Sequence, residues 1–197
     1  MPEIIDRRAI ILVQFPIGNM RHSRQSIEVT CRDSTLTGFL RKAPEQIPKN
    51  LIRGTAKAVM ELVSNSLKFD FERELSIHVS WIQCNGYKLP VKLGEFISEG
   101  VGVCVERSIL SQVTLSYLGV KSSLTCAFAK NEHIGKLFGH FWVELKDEDG
   151  ISFVMDPNIG LLSIEQAYMR YEIPEKRLIA LRQEVSMPLH ELLRPAS

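Results

Sequence analysis

The sequence predicts an α+β fold in which a buried central helix is followed by an antiparallel sheet. A mostly apolar run from 104 to 118 ends at Gly119, a residue that is typical of helix C-termini. The turn before the last predicted strand contains Asp149-Gly150, a pair that is typical of hairpins. With 197 residues, the chain is long enough for one domain with a sizeable core. Runs with strand-like composition follow the helix at 121–130, 139–146 and 151–157.

Periodicity and turn residues predict the remaining elements. Apolar residues recur with a period near 3.6 over about residues 50–70, which indicates a helix. Residues 74–83 alternate apolar and polar side chains, which predicts a strand, and the proline-containing segment 43–50 is predicted to be a loop. The other predicted elements are strands at 9–15 and 26–32, a short helix at 92–100 and surface helices within 163–183.

Composition and charge argue against several kinds of partner. The formal net charge is +1 and lysine and arginine form no block, so neither nucleic acid nor a membrane surface is expected to bind. The apolar run near the N-terminus is too short for the core of a signal peptide. No C-x-x-C pair occurs, so reduced thiols and a cytoplasmic location are expected rather than disulfides or a zinc site. The four cysteines are Cys31, Cys84, Cys104 and Cys126.

Cys104 stands at the start of the predicted central helix, directly after a glycine-rich segment. A helix N-terminus stabilises a thiolate and lowers the pKa of a cysteine from about 8.5 toward the range of about 3.5–7.5. The free backbone N–H groups at such a start can also bind the oxyanion that forms when a thiolate attacks a carbonyl. This position therefore predicts a reactive thiol.

The hairpin is predicted to place His140 and Asp156 on one face. If the loop is the five residues 146–150, Leu145 pairs with Ile151 and His140 lies directly opposite Asp156. A three-residue loop keeps them on one face as diagonal neighbours, whereas an even loop separates them. The apolar alternation favours an odd loop, because one face then holds Phe141, Val143, Leu145, Ile151, Phe153 and Met155.

An imidazole held by a carboxylate, beside a cysteine at a helix start, supplies the parts of a thiol nucleophile system. Each residue alone has a simpler explanation. Cys104 would be a small apolar core residue, His140 a hydrogen-bonded strand residue, and Asp156 a turn residue before Pro157. The functional hypothesis therefore depends on Cys104 and His140 lying together in the fold.

Four motifs in order along the chain resemble the core of the transglutaminase-like superfamily. They are G-V-C-V-E-R-S, L-G-V, G-H-F-W-V-E-L and V-M-D-P, and together they cover about residues 92–160. The resemblance implies a papain-like fold in which Cys104 is the nucleophile, His140 the general base and acid, and Asp156 the carboxylate that orients the imidazole. Two of the motifs are also similar to the leader peptidases of lasso-peptide biosynthesis. Residues 51–197 are then expected to form the catalytic domain, with 1–50 as an N-terminal β-rich region.

The resemblance implies a cysteine-dependent amide hydrolase or acyl transferase that works through a thioester acyl-enzyme. Peptidase and glutamine deamidase are favoured over transglutaminase, because no acidic calcium loop of the D-x-D type occurs. A protein or peptide substrate is expected, and no metal or organic cofactor is implied. The oxyanion could have a side-chain donor, for which Trp81 and Gln83 are the candidates.

Two alternatives remain at this point. One is an arylamine N-acetyltransferase, although the sequence lacks that family's R-G-G run before the cysteine, and Pro-Asn follows Asp156 where that family has V-G-F-G. The other is a catalytically idle binding protein of the same fold. The presence of Cys104, His140 and Asp156 argues against the second alternative.

Overall fold

The computed structural model describes residues 8–11, 26–47, 51–86, 89–130 and 137–171, and these residues form an α+β fold. The helices are α1 (Ser34–Gln46), α2 (Ile52–Ser66), α3 (Phe71–Asn85), α4 (Leu93–Glu99), α5 (Cys104–Tyr117) and α6 (Ile164–Tyr171). The strands are β1 (Arg8–Ile11), β2 (Ile27–Thr30), β3 (Val91–Lys92), β4 (Ser122–Lys130), β5 (Leu137–Lys146), β6 (Ser152–Asp156) and β7 (Gly160–Ser163).

The strands form two sheets of different construction. In the smaller sheet, β1 pairs with β2 in antiparallel and β2 pairs with β3 in parallel. The larger sheet has the order β4-β5-β6-β7 and is antiparallel throughout. The predicted central helix, the helices near 50–70 and 92–100 and the three predicted strands of the larger sheet are confirmed. Among the described residues, no helix is both long and apolar enough to cross a membrane.

Helix α5 lies in the interior, with every residue from 104 to 115 buried. It packs against β5, β4 and α2, and its apolar side chains join the main hydrophobic core. The helix ends at Tyr117, and Gly119 follows with φ +80°, the left-handed conformation predicted for a helix C-terminus. Its burial fixes where Cys104 lies.

The strand predicted at 74–83 is wrong, since these residues belong to α3. Asp70 caps this helix by accepting a hydrogen bond from Arg73 N at 3.0 Å. The buried side chains are Glu74 and His78, four residues apart as on one helix face, whereas Val79 is exposed. The apolar alternation is therefore no sign of a half-buried strand in this segment.

The loop predicted at 43–50 is also wrong over residues 43–46, which complete α1. Leu36, Leu40 and Ala43 form the buried stripe of this helix. Pro44 lies in its last turn, where a missing N–H removes only one helical hydrogen bond. Residues 48–50 lie outside the described residues, as do 12–15 of the first predicted strand and 172–183 of the predicted surface helices.

The register of the β5–β6 hairpin differs by two residues from the predicted one. Leu145 pairs with Phe153, and the predicted partner Ile151 lies in the turn with 57% of its surface exposed. Asp147 closes the turn, because its Oδ1 accepts from Ile151 N at 2.8 Å. A shift of two residues leaves the paired side chains on their predicted faces, whereas Ile151 leaves the core face for the turn.

Gly94 contacts Asp33 so closely that a side chain has no room. An added Cβ would lie 2.2 Å from Asp33 Oδ1, and Gly94 N donates to Asp33 Oδ2 at 2.7 Å. The same carboxylate caps α1 by accepting from Leu36 N at 3.1 Å. We expect Gly94→Ala to lower the free energy of unfolding by about 2–3 kcal/mol, because it displaces a buried cap.

The matched control for Gly94→Ala is Gly38→Ala in α1. An added Cβ at Gly38 meets nothing within 4 Å, so the better helix propensity of alanine should stabilise the protein by about 0.5–1 kcal/mol. Urea denaturation measures both changes. Equal effects of the two substitutions would contradict the close contact between Gly94 and Asp33.

Candidate active site

The segment before α5 is anchored to the end of α2. Lys68 N donates to Gly100 O at 2.8 Å, and Gly102 N donates to Lys68 O at 3.1 Å. Gly102 passes close to the helix, since an added Cβ would lie 3.0 Å from Glu106 Cβ. These contacts fix the path by which the chain reaches Cys104, the first residue of α5.

The start of α5 combines a partly accessible thiol with backbone donors. Cys104 is 9% exposed, and its Sγ lies 3.9 Å from Gly139 O at the edge of the larger sheet. Val103 offers no side-chain acceptor, but its N–H donates to Glu106 Oε2 at 2.9 Å, which fixes the first turn. The first N–H groups of any helix lack partners within it, so this end carries a partial positive charge.

A buried hydrogen bond sets the distance between α5 and β5. Ser108, one turn after Cys104, donates from Oγ to Phe141 O at 2.9 Å. Because Phe141 directly follows His140, this bond aligns the helix start with the strand segment that carries the imidazole. Cys104 lies within hydrogen-bonding reach of the His140 imidazole.

His140 and Asp156 lie together on one face of the larger sheet. His140 Nε2 is 2.6 Å from Asp156 Oδ2, and both side chains are buried. The pair is diagonal rather than directly opposed, because the hairpin register is shifted by two residues. The other carboxylate oxygen, Asp156 Oδ1, accepts from Asn158 N at 2.8 Å. Both oxygens of the carboxylate therefore have donors.

The surroundings of His140 favour its protonated form. Burial lowers the pKa of His140, but hydrogen bonds to Asp156 and Cys104, together with their negative charges, raise this pKa more strongly, to about 9. Since Nε2 contacts Asp156, Nδ1 is the nitrogen left for the thiol. At neutral pH the imidazole thus carries a proton on each nitrogen.

Arg107 is a site residue that the sequence reasoning missed. It is nearly buried and donates to Asn158 Oδ1 and to Ser64 Oγ, so it links α5 to α2 and to the turn after Asp156. Burial lowers the pKa of Arg107, while the charges of Asp156 and Cys104 raise it. An arginine inside a helix predicted to be buried was the available signal, because buried arginine is almost always paired.

Both predicted candidates for a side-chain donor to the oxyanion lie on α3. Trp81 Nε1 donates to Leu89 O at 3.1 Å, so its N–H is already used, and Gln83 is exposed on α3. Residues 131–136 lie outside the described residues.

Apart from the candidate active site, the described residues contain one group of side chains that could hold a metal ion. It consists of Glu74, His78 and Glu106, and it does not include the thiol of Cys104.

A comparison with models of protein families identifies one family. A family model described as a transglutaminase-like domain matches residues 40–185. No curated protein matches the chain. One matching solved structure is described as the crystal structure of a TGase, with 16% identity and a TM-score of 0.43. That match covers 64% of this chain and 31% of the other, so this chain spans about a third of its length.

The raised pKa of His140 predicts a stability that falls at alkaline pH. Folding raises this pKa above the usual value of about 6.5, so protonation stabilises the folded state. The contribution, of the order of 3 kcal/mol, is complete below about pH 6.5 and is lost as the pH rises through about 9. Urea denaturation across this range, with NMR titration of the imidazole, measures both quantities.

Asp156→Asn should lower the NMR midpoint of His140 by at least about one pH unit, because burial then opposes protonation with less compensation. Asp149→Asn is the control, since Asp149 is an exposed turn residue. An imidazole that titrates equally in both variants would show that Asp156 does not hold the proton.

Proposed function

This chain belongs to the transglutaminase-like domain family, and on that premise we propose that it is a cysteine-dependent enzyme of amide hydrolysis or acyl transfer. The supporting observation is the position of His140, which hydrogen-bonds Asp156 on one side and Cys104 on the other. A thiol, an imidazole and a carboxylate in this order are the parts of an activated nucleophile. All three residues lie within 51–197, the segment that we propose as the catalytic domain.

In the proposed reaction, the thiolate of Cys104 attacks the carbonyl carbon of an amide. The carbonyl oxygen becomes an oxyanion, which the first backbone N–H groups of α5 stabilise. His140 Nδ1–H then donates its proton to the leaving amine, and the C–N bond breaks to leave a thioester on Cys104.

The second half of the reaction restores the enzyme. The neutral imidazole of His140 takes a proton from water or from an acceptor amine, which attacks the thioester carbonyl. The C–S bond breaks, the acid or the new amide leaves, and the imidazolium–thiolate pair re-forms. No redox partner or cofactor takes part in either half.

Asp156 and Arg107 act through the imidazole and the turn. Asp156 orients the ring and stabilises its charged form. Arg107 fixes Asn158, whose backbone N–H holds the second oxygen of Asp156. Arg107 is thus a positioning residue, and its side chain connects the nucleophile helix to the carboxylate.

The proposed substrate is a protein or peptide, with peptide bond cleavage or glutamine deamidation favoured. Both use the same acyl-enzyme and differ only in which amine leaves.

A thiol nucleophile must stay reduced, and the cytoplasm keeps thiols reduced, which supports a cytoplasmic location. The described cysteines Cys31, Cys84 and Cys104 are all unbridged.

Alkylation by iodoacetamide tests the activated thiol. At mildly acidic pH, Cys104 should react at least about tenfold faster than the exposed Cys31 and Cys84, because only Cys104 is proposed to be a thiolate there. His140→Ala should remove this advantage. Peptide mass spectrometry measures all three cysteines in one digest, so the exposed pair are internal controls. Equal rates at Cys104 with and without His140 would contradict the triad.

Product analysis tests the reaction class. With a mixture of glutamine-containing peptides, a deamidase releases ammonia with the chain intact, a peptidase creates new termini, and a transglutaminase incorporates an added amine. We expect one of the first two, with kcat reduced at least about 10³-fold in Cys104→Ala. Acetyl transfer from acetyl-coenzyme A would support the acetyltransferase alternative, and no turnover despite a reactive thiol would support the binding protein.

A further inference from the structure

We propose that Glu74, His78 and Glu106 form a binding site for a divalent transition-metal ion, with zinc as the probe. Glu74 and His78 lie on α3, and Glu106 lies in the first turn of α5. Ligand atoms of all three lie within 4.8 Å of one another. The site does not depend on the proposed reaction.

The local structure brings the three side chains together in the interior. Glu74 and His78 are four residues apart, so they share one face of α3. His78 Nε2 lies 3.1 Å from Glu74 Oε1, and the exposed fractions of Glu74, His78 and Glu106 are 0%, 1% and 0%. The centroid of the Phe96 ring lies 5.3 Å from that of the His78 ring, and the two rings are tilted by 54°.

The charges of the cluster favour a cation. Both glutamates lie in the first turn of a helix, where the macrodipole stabilises the ionised carboxylate, and Glu106 also accepts from Val103 N. Buried charges are normally paired or bound to metals, and the two positive charges of a divalent ion match those of two carboxylates.

The donor atoms indicate the kind of metal. Zinc binds imidazole nitrogen and carboxylate oxygen at about 2.0–2.2 Å, so two ligands at a tetrahedral angle lie about 3.3–3.6 Å apart. The observed separations, from 3.1 to at most 4.8 Å, need only small side-chain movements to match. Calcium and magnesium prefer oxygen ligands alone, whereas imidazole with carboxylates suits zinc and its neighbours in the first transition series.

The position of Glu106 separates this site from the thiol. At 3.6 residues per turn, Glu106 lies about 200° around α5 from Cys104, which is nearly the opposite side of the helix. A bound ion would therefore join α3 to the first turn of α5 without occupying the thiol. The hydrogen bond from Val103 N to Glu106 Oε2 would hold the Glu106 carboxylate in the orientation in which it binds the metal.

The test uses the full chain without an affinity tag, in a Cys104→Ser background that removes the nucleophile as a ligand. We expect about one zinc ion per chain by elemental analysis after gel filtration, and a higher thermal midpoint with zinc than with a chelator. Cobalt should give visible absorption bands without the near-ultraviolet bands of thiolate coordination.

Glu74→Gln should lower zinc affinity at least about tenfold, because changes to outer ligands alone cost about 10–100-fold. Glu72→Gln is the matched control, since Glu72 is exposed on the same helix. His22, His133 and His190 lie outside the described residues and are the same in both variants. Zinc bound by these histidines would therefore be retained equally by both variants. Equal affinity in the two variants, or no metal bound by the parent chain, would overturn the proposal.

The parent-chain measurements need no substitution at the site, so they decide the question even if Glu74→Gln fails to fold. Alkylation of Cys104 in the natural sequence is measured separately. A failure of metal binding therefore leaves the proposed reaction standing, and a failure of the reaction leaves the metal site standing.

Discussion

The burial of α5 is the constraint on which the rest of the structure depends. A helix enclosed by a sheet on one side and by helices on others must satisfy each polar side chain internally, because an unpaired buried polar group costs about 1–3 kcal/mol. Ser108 donates a hydrogen bond to β5, and Arg107 donates to α2 and to the turn after β6. Glu106 accepts a hydrogen bond from the backbone just before the helix. These bonds determine how far the helix is rotated and translated within the core.

This constraint explains the electrostatics of the candidate site. Water is largely excluded around His140 and Asp156, so their mutual attraction is stronger than it would be at a surface. The carboxylate is held by donors on both oxygens, and the imidazole gains a proton that burial alone would remove. The imidazolium form of His140 is the state that such surroundings favour.

The sequence predicted the elements whose burial pattern is simple. The hairpin strands have a regular alternation of apolar side chains, and the shared face of His140 and Asp156 depends only on whether the loop length is odd. The register itself depends on Asp147, whose hydrogen bonds to the turn involve the backbone and could not be counted from spacing. A register error of two residues does not change the face on which a side chain lies. The prediction that His140 and Asp156 share a face was therefore unaffected by the error.

The wrong and missed predictions share another cause. In α3 the buried positions are the polar Glu74 and His78, so apolar periodicity pointed to the wrong structure. Arg107 was missed because its partners, Ser64 and Asn158, are distant from it in sequence. Polar residues reveal their role only when the fold supplies the groups they contact.

The placement of Arg107 three residues after Cys104 has a consequence for how the protein can change. One rigid helix carries both the thiol and the guanidinium that fixes the turn of Asp156, so any rotation of α5 displaces both together. Loss of alignment would therefore spread to the thiol and the carboxylate at once, and intermediate geometries would be poorly populated. An exchange of the thiol alone leaves the polar interior of the helix complete.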